Sequence, residues 1–196
     1  MKAVIEANEL KRIVDNTKRF VGVNDKRMEY IRLEIDAEKK MIRAIALDGY
    51  KLSVEYAKIQ DADESFLCYI KPVIPKITRS TEHAVIELSG DRVLIQADES
   101  IMGYVQPSFD YYDVDKLIKE ETEKKIIRTI GVNAKYLKDA LVSAKDSMRS
   151  RDIIKIDVRN PNEPLMIRSM GYDGLPENIK IILPVLINKE IDNGRI

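Results

Sequence analysis

"ALDGYKLSV", residues 46–54, is the stretch on which the reading of the chain turns. Ala46 and Leu47 end an apolar run, Asp48 and Gly49 interrupt it, and alternation resumes at Tyr50. Asp-Gly between alternating runs is a hairpin signal, because both residues take positive φ at low cost. "KMIRAIAL" (40–47) and "YKLSVEYAKI" (50–59) therefore read as two antiparallel strands joined by a tight turn. "MEYIRLEI" (28–35) precedes them across the charged turn "DAEK" (36–39), which extends the pair to a meander.

The pattern recurs along the chain. "AVIEL" (84–88) and "RVLIQA" (92–97) flank "SGD", and "IMGYVQ" (101–106) follows. "KKIIRTIGV" (124–132), "IIKIDV" (153–158), "PLMIRS" (164–169) and "NIKIILPVLI" (178–187) also read as strands. A helical candidate stands ahead of each meander. The first, "ELKRIVDNTKRFV" (9–21), follows Asn8 as N-cap and gathers Leu10, Ile13, Val14, Thr17, Phe20 and Val21 on one side. The second, "PVIPKITRS" (72–80), is short and irregular, since Pro75 fits only in or near a first turn. The third, "AKYLKDALVSAKDSM" (134–148), follows Asn133 and carries the stripe Leu137, Ala140, Leu141, Ala144 and Met148. "YDVDKLIKEETEK" (112–124) reads as a charged connector, and "NKEIDNGRI" (188–196) as a loosely held tail.

Helix starts roughly sixty residues apart mark an internal repeat. Each repeat is a strand, a helix and an antiparallel meander, and none can bury its helix alone, so neighbouring repeats stack. The expected fold class is α+β: βαβββ repeats with helices on one face of antiparallel sheets. The expected domains are 1–118, with halves about 1–60 and 61–118, and a half-domain at 119–196.

Composition narrows the function. Of 196 residues 44% are apolar and 34% charged, which describes a globular chain. Lys plus Arg and Asp plus Glu both number 33, so any nucleic-acid contact is a local face rather than a basic body. Cys68 is the single cysteine, read as a buried thiol; no disulfide scaffold is possible, which fits a cytoplasmic setting. No signal peptide and no run of about 18 apolar residues is present. The lone histidine, His83, reads as a surface residue. Neither a metal set nor a phosphate loop nor a nucleophile motif is visible, so no enzyme and no cofactor is expected. Lys11, Arg12, Lys18 and Arg19, with Asp15, fill an arc of roughly a third of the first helical wheel. Lys135, Lys138 and Lys145 make a weaker cluster on the third helix. Two readings stand for these faces: plain solvated surface, or non-specific contact with phosphates.

At this point several stretches, taken in order, resemble the bacterial sliding clamp, the beta subunit of DNA polymerase III. "ALDGYKLSV" is similar to the family's "ATDGHRLAV", and "DKRMEYIRLEI" (25–35) to the strand that leads to it. "CYIKPVIPKI", "AVIELSGDRVLIQA" and "SFDYYDVDKLI" follow the family's order of helix, hairpin and "FPDYRRV". "IGVNAKYLKDAL" is similar to "IGFNPKYLLDAL", "EPLMIRS" to "SPLLIRP", and "IKIILPVLI" to "YVVMPMRL". The family chain has three domains, hence six repeats, and three are read here. The family's threonine, histidine and arginine in the turn motif are Leu47, Tyr50 and Lys51, and its near-terminal arginine is Leu186.

The resemblance implies a homo-oligomeric, non-enzymatic processivity factor that tethers a polymerase to duplex DNA. Helices would face the DNA backbone through Lys11, Arg12, Lys18, Arg19, Lys135, Lys138 and Lys145. Polymerases and other partners would dock a short peptide on Leu47, Gly49, Tyr50, Lys51 and Leu52, opposed by Asn133, Tyr136, Leu165, Ile181, Leu183 and Pro184. Tyrosine in place of histidine would make this site more apolar than the family's. The alternative is an adaptor or regulator that binds clamp-binding peptides without encircling DNA.

Overall fold

The computed structural model describes residues 1–126, 129–146, 154–158, 160–169 and 178–185. The chain divides into two compact units at 113/114. The boundary expected at 118/119 falls inside a helix, described below.

The first unit begins with β1 (Lys2–Glu6), which runs directly into α1 (Ala7–Thr17). A 3₁₀ turn at Lys18–Phe20 ends α1, and a second at Lys26–Glu29 leads into β2 (Ile31–Asp36). β3 (Met41–Leu47) and β4 (Leu52–Ala62) complete the first half. β5 (Phe66–Ile70), β6 (His83–Ser89), β7 (Arg92–Ala97) and β8 (Ser100–Val105) form the second. All eight strands join one sheet in the order β5-β2-β3-β4-β1-β6-β7-β8. The two halves are tied by reciprocal pairing: β1 lies antiparallel to β6, and β5 antiparallel to β2.

Period-two burial builds this sheet. Ile31, Leu33 and Ile35 of β2 are buried while Arg32 and Glu34 face outward. α1 sets Leu10, Ile13, Val14 and Thr17 onto the same core, and Thr17 donates its hydroxyl to Ile13 O at 2.6 Å. Each fully buried aliphatic side chain contributes about 1.5–3 kcal/mol. The sequence placed the N-cap at Asn8. In the structure Glu6 holds that position without a side-chain bond, and Ala7 N donates to Glu82 O at 3.0 Å. A neighbouring carbonyl thus satisfies the orphan donor, so no capping side chain is needed.

The second helix is not formed. Residues 71–78 form neither helix nor strand and run as a strap. Pro72 and Pro75 lack N–H donors, and each also disfavours helical φ/ψ in the residue before it, Lys71 and Ile74. The strap still covers the core with Ile74 and Ile77, and Tyr104 donates its hydroxyl to Val73 O at 2.5 Å. By the repeat, β5 should pair with β8 as β1 pairs with β4. Instead the Gln106 amide bridges there, accepting from Tyr69 N at 2.8 Å and donating to Tyr69 O at 3.0 Å.

The second unit opens with α2 (Val114–Thr122), where a connector was expected. Its Leu, Lys and Glu residues favour helix, no Gly or Pro interrupts them, and Lys119 and Glu123 pair at 3.8 Å across one turn. Charge density alone did not make it a loop. β9 (Gly131–Val132), α3 (Ala134–Asp146), β10 (Ile154–Asp157), β11 (Leu165–Ser169), β12 (Asn178–Ile182) and β13 (Pro184–Val185) follow. Among the described residues of the strand expected at 124–132, Gly131 and Val132 pair, and the strand expected at 178–187 breaks at Leu183. β10-β11-β12 form one sheet and β13-β9 another. α3 packs on β11 and β12, burying Ala140, Leu165, Ile167 and Ile182. Asn133 caps α3 as the sequence indicated: its Oδ1 accepts from Lys135 N at 3.0 Å and Tyr136 N at 3.3 Å. The last turn of the third helix predicted to reach Met148 and the tail at 188–196 lie outside the described residues.

Candidate functional site

The turn that opened the reading is longer than predicted. Leu47 and Leu52 are the closing pair, so 48–51 form a four-residue loop, and within it only Gly49 has positive φ, at 89°. Asp48 N donates to Lys51 O at 3.2 Å, and Asp48 Oδ1 accepts from Tyr50 N and Lys51 N, both at 3.0 Å. The bond from Tyr50 N, with those from Lys51, holds the Asp48 carboxyl below its ordinary pKa. Lys51 Nζ reaches Arg19 O at 2.6 Å and fastens the loop to the turn after α1. Gly22 approaches closely enough that a Cβ there would stand 3.0 Å from Asp48 Cα. The loop backbone is therefore fixed from two sides, while the Tyr50 side chain is 95% exposed. Leu47 is buried and Leu52 half-buried.

An aromatic cluster that sequence reasoning missed lies in the same unit. Tyr69 packs against Tyr30, Phe109 and Tyr111 with ring centroids 5.6–6.5 Å apart. Arg27 lies 4.4 Å from the Tyr112 ring and Lys71 Nζ 3.9 Å from the Tyr30 ring. Asp25 accepts from Arg27 Nη2 at 2.7 Å and Tyr112 Oη at 2.8 Å, and the Arg27 guanidinium holds its carboxyl well below the usual range. Burial pushes the Tyr111 hydroxyl up. "FDYY" was visible as an aromatic run, but its partners are far away in sequence.

In the second unit the candidate residues separate by exposure. Tyr136, Ile181 and Leu183 are exposed at 59%, 61% and 71%. Pro184 is half-buried opposite Val132. Leu165 pairs with Ile182, packs against α3 and is 5% exposed. Asn133 is occupied in capping α3.

The cationic set also divides. Arg12 meets Glu9 at 2.8 Å, Glu55 at 2.9 Å and Tyr56 O at 2.6 Å, which ties it to β4. Hydrogen bonding with Arg12 holds the Glu9 carboxyl below its ordinary pKa. Lys11 and Lys18 share Asp15, Lys18 at 2.6 Å, which lowers the Asp15 carboxyl through bonds from Lys11 and then Lys18. Arg19, Lys135 and Lys138 are exposed. The Lys145 side chain lies outside those described.

His83 is exposed and bonds Gln60 at 3.0 Å, and Cys68 is buried, its thiol pushed up to about 12 by desolvation. Among the described residues no helix is long and apolar enough to cross a membrane.

The architecture is shared with solved structures. The DNA polymerase sliding clamp of Bacillus subtilis superposes with a TM-score of 0.76 at 17% identity, over 94% of this chain and 49% of that one. The chain has the bacterial sliding-clamp fold. The DNA polymerase III beta chain of Streptococcus pneumoniae gives 0.75 at 16% identity, over 94% and 49%. The sliding clamp of Pseudomonas aeruginosa gives 0.72 at 14%, over 94% and 51%. The chain thus spans about half the length of each clamp. No protein-family model and no curated protein matches the sequence. At 71–78 this chain has a strap where its own repeat calls for a helix.

Proposed function

We propose that this chain is a clamp-like, non-enzymatic processivity factor that tethers a DNA polymerase to duplex DNA by binding a short peptide of the polymerase. The clamp fold over nearly the whole chain carries this reading. The Tyr50 loop supports the peptide-binding half. Its backbone is already fixed, so seating an apolar side chain on the exposed ring orders little that is not ordered before binding. Tyr50, flanked by Leu52, Gly49 and Lys51, is the anchor on the first unit, and Ile181 and Leu183 supply the same chemistry on the second.

Lys11, Lys18, Arg19, Lys135 and Lys138 act as point charges for phosphates. Such contacts are weak and salt-sensitive, which suits a protein that must slide. The working form is a homo-oligomer in the cytoplasm.

A second reading draws on one observation. Lys11 and Lys18 share one carboxylate and Arg12 is held by two, so α1 presents less free positive charge than its sequence suggests. In that reading the chain is an adaptor or regulator that binds clamp-binding peptides without encircling DNA. Retention on nicked circular DNA separates the two. A tether stays on the circle and is lost when the DNA is linearised. An adaptor shows no difference between circle and line, and that result would overturn the processivity reading.

A further inference from the structure

α1 turns one stripe toward the strap. Lys11, Val14, Asp15 and Lys18 recur at helical spacing, and with residues 72–77 they line a groove of about 340 Å³. Its walls are largely aliphatic: Val14 and Pro75 are buried there, and Val73 is 56% exposed. Both walls are fixed before anything binds. α1 is held to the sheet by its buried stripe. The strap is tied at its ends and between them. Lys71 Nζ donates to Glu29 at 2.6 Å, and Tyr104 Oη donates to Val73 O at 2.5 Å. Thr81 Oγ1 accepts from Thr78 N at 3.1 Å and donates to Asp98 at 2.5 Å. Pro72 and Pro75 each fix one backbone rotation as well.

The charges along this groove are not equivalent. It holds three lysines and one carboxylate. Asp15 engages two of the three, Lys11 and Lys18, the latter at 2.6 Å. Lys76 comes from the strap, is exposed, and pairs with no carboxylate among the described residues. The groove thus carries an excess of positive charge, with its one anion shared by the two lysines of the opposite wall.

We propose that this groove seats the phosphodiester backbone of duplex DNA, with Lys76 as the first contact and Asp15 as a resident competitor for Lys11 and Lys18. The inference rests on the tethering function and deepens it, since it adds a contact from the strap and gives a carboxylate a role of opposite sign. A phosphate that reaches Lys76 meets two lysines already paired, so it gains them only by displacing Asp15. Exchange of one exposed anion for another yields little net energy. The aliphatic walls face the uncharged sugars between phosphates. A grip limited in this way lets the chain pass from one phosphate to the next.

Anisotropy of a short labelled duplex, titrated with the full chain at low and then rising salt, tests the assignment. Lys76→Ala should weaken binding and reduce the slope of log K against log salt by about 0.9, the value for one lost phosphate contact. Asp15→Asn should tighten binding about two- to fivefold, the range that the strength of an exposed ion pair corresponds to. Lys58→Ala and Glu87→Gln make the same charge changes on the sheet face away from α1, because they alternate with Ala57, Ile59 and Ile86, which join α1 in the core. Both should bind like the unmodified chain, and thermal unfolding of all samples checks folding. The proposal fails if Lys76→Ala behaves as Lys58→Ala does, or if Asp15→Asn binds no tighter than Glu87→Gln. Should Lys18→Glu with Arg19→Glu still weaken binding in that case, the tethering function stands and the groove alone is lost. An unmodified chain that binds no duplex even at low salt removes both. Sodium phosphate should displace the duplex no better than sodium chloride of equal ionic strength. Selective displacement by phosphate would make the groove a site for a small phosphate compound and overturn the proposal.

Discussion

Replacing Tyr50 by Ala isolates the peptide-binding half of the proposed function. Tyr50 is 95% exposed and its side chain holds nothing in the fold, since the loop is fixed by Asp48, Lys51 and the turn after α1. The melting temperature should therefore stay where it is, within the roughly 0.5 kcal/mol typical of surface changes. Binding is a different matter. A tyrosine buries about 150–250 Å² when fully covered. A peptide resting on one face of the ring would cover roughly 60–100 Å², which at about 25 cal/mol per Å² is worth about 1.5–2.5 kcal/mol, or about 10- to 70-fold in Kd. Fluorescence anisotropy of a labelled clamp-binding peptide measures this directly, with thermal unfolding of the same samples as the folding control. Leu183→Ala in the second unit should act in the same direction. Unchanged affinity in both variants, with both folded, would refute the site assignment.

Gly22→Ala should destabilise the first unit by about 1–3 kcal/mol, because the new Cβ would meet Asp48 Cα at 3.0 Å and the loop backbone must move; calorimetry reads the loss. The Asp25 carboxyl, depressed by Arg27, contributes stability that is complete above the unfolded pKa of about 4 and disappears as pH falls through the lower folded value. Melting temperature should thus decline below about pH 4, and Asp25→Asn should flatten that part of the curve. Lys18→Glu with Arg19→Glu should lower retention on circular DNA at low salt and reduce its salt dependence, read by gel filtration of the complex. Arg12→Ala should instead cost about 1 kcal/mol of stability with the salt dependence of DNA retention unchanged, because Arg12 ties α1 to the sheet.

Much of the fold was legible because it repeats short-range patterns. Alternation in residues 31–35 and helical spacing in 10–17 each point to one face, and one face is what they bury. Asn133 was legible as a cap because capping is local. What failed depended on balance or distance. The proline-rich segment was expected to keep a short helix, and two missing donors with two restricted neighbours removed it. The connector at 112–124 became helical because opposite charges sit one turn apart, a pairing invisible to a reading of polarity alone. Arg12 looked free on the wheel, since its partner Glu55 comes 43 residues later. The aromatic cluster gathers residues from 27–32, 69–71 and 109–112, which only the sheet brings together. Leu165 and Ile181 sit on neighbouring strands with the same aliphatic character, and the pleat alone sends one inward and the other out.

The lost helix bears on how the proposed tether would hold DNA. In the first unit one helix, α1, remains of the two that the repeat provides, and it is α1 whose cations are largely engaged by Asp15, Glu9 and Glu55. Exposed pairs of this kind exchange partners at little cost, so a passing phosphate can draw Lys11 or Lys18 from Asp15, whereas Arg12 is held at three points and stays. The contact per unit is then a few mobile charges, too weak to keep a single chain on DNA at moderate salt. Retention in such a protein has to come from topology, with several chains closed around the duplex, and the strength of the protein–protein contacts then decides residence time. Weakening a chain-to-chain contact should therefore shorten residence on circular DNA more than removing any one lysine, and a lysine substitution that equals it would place the holding energy back in the phosphate contacts.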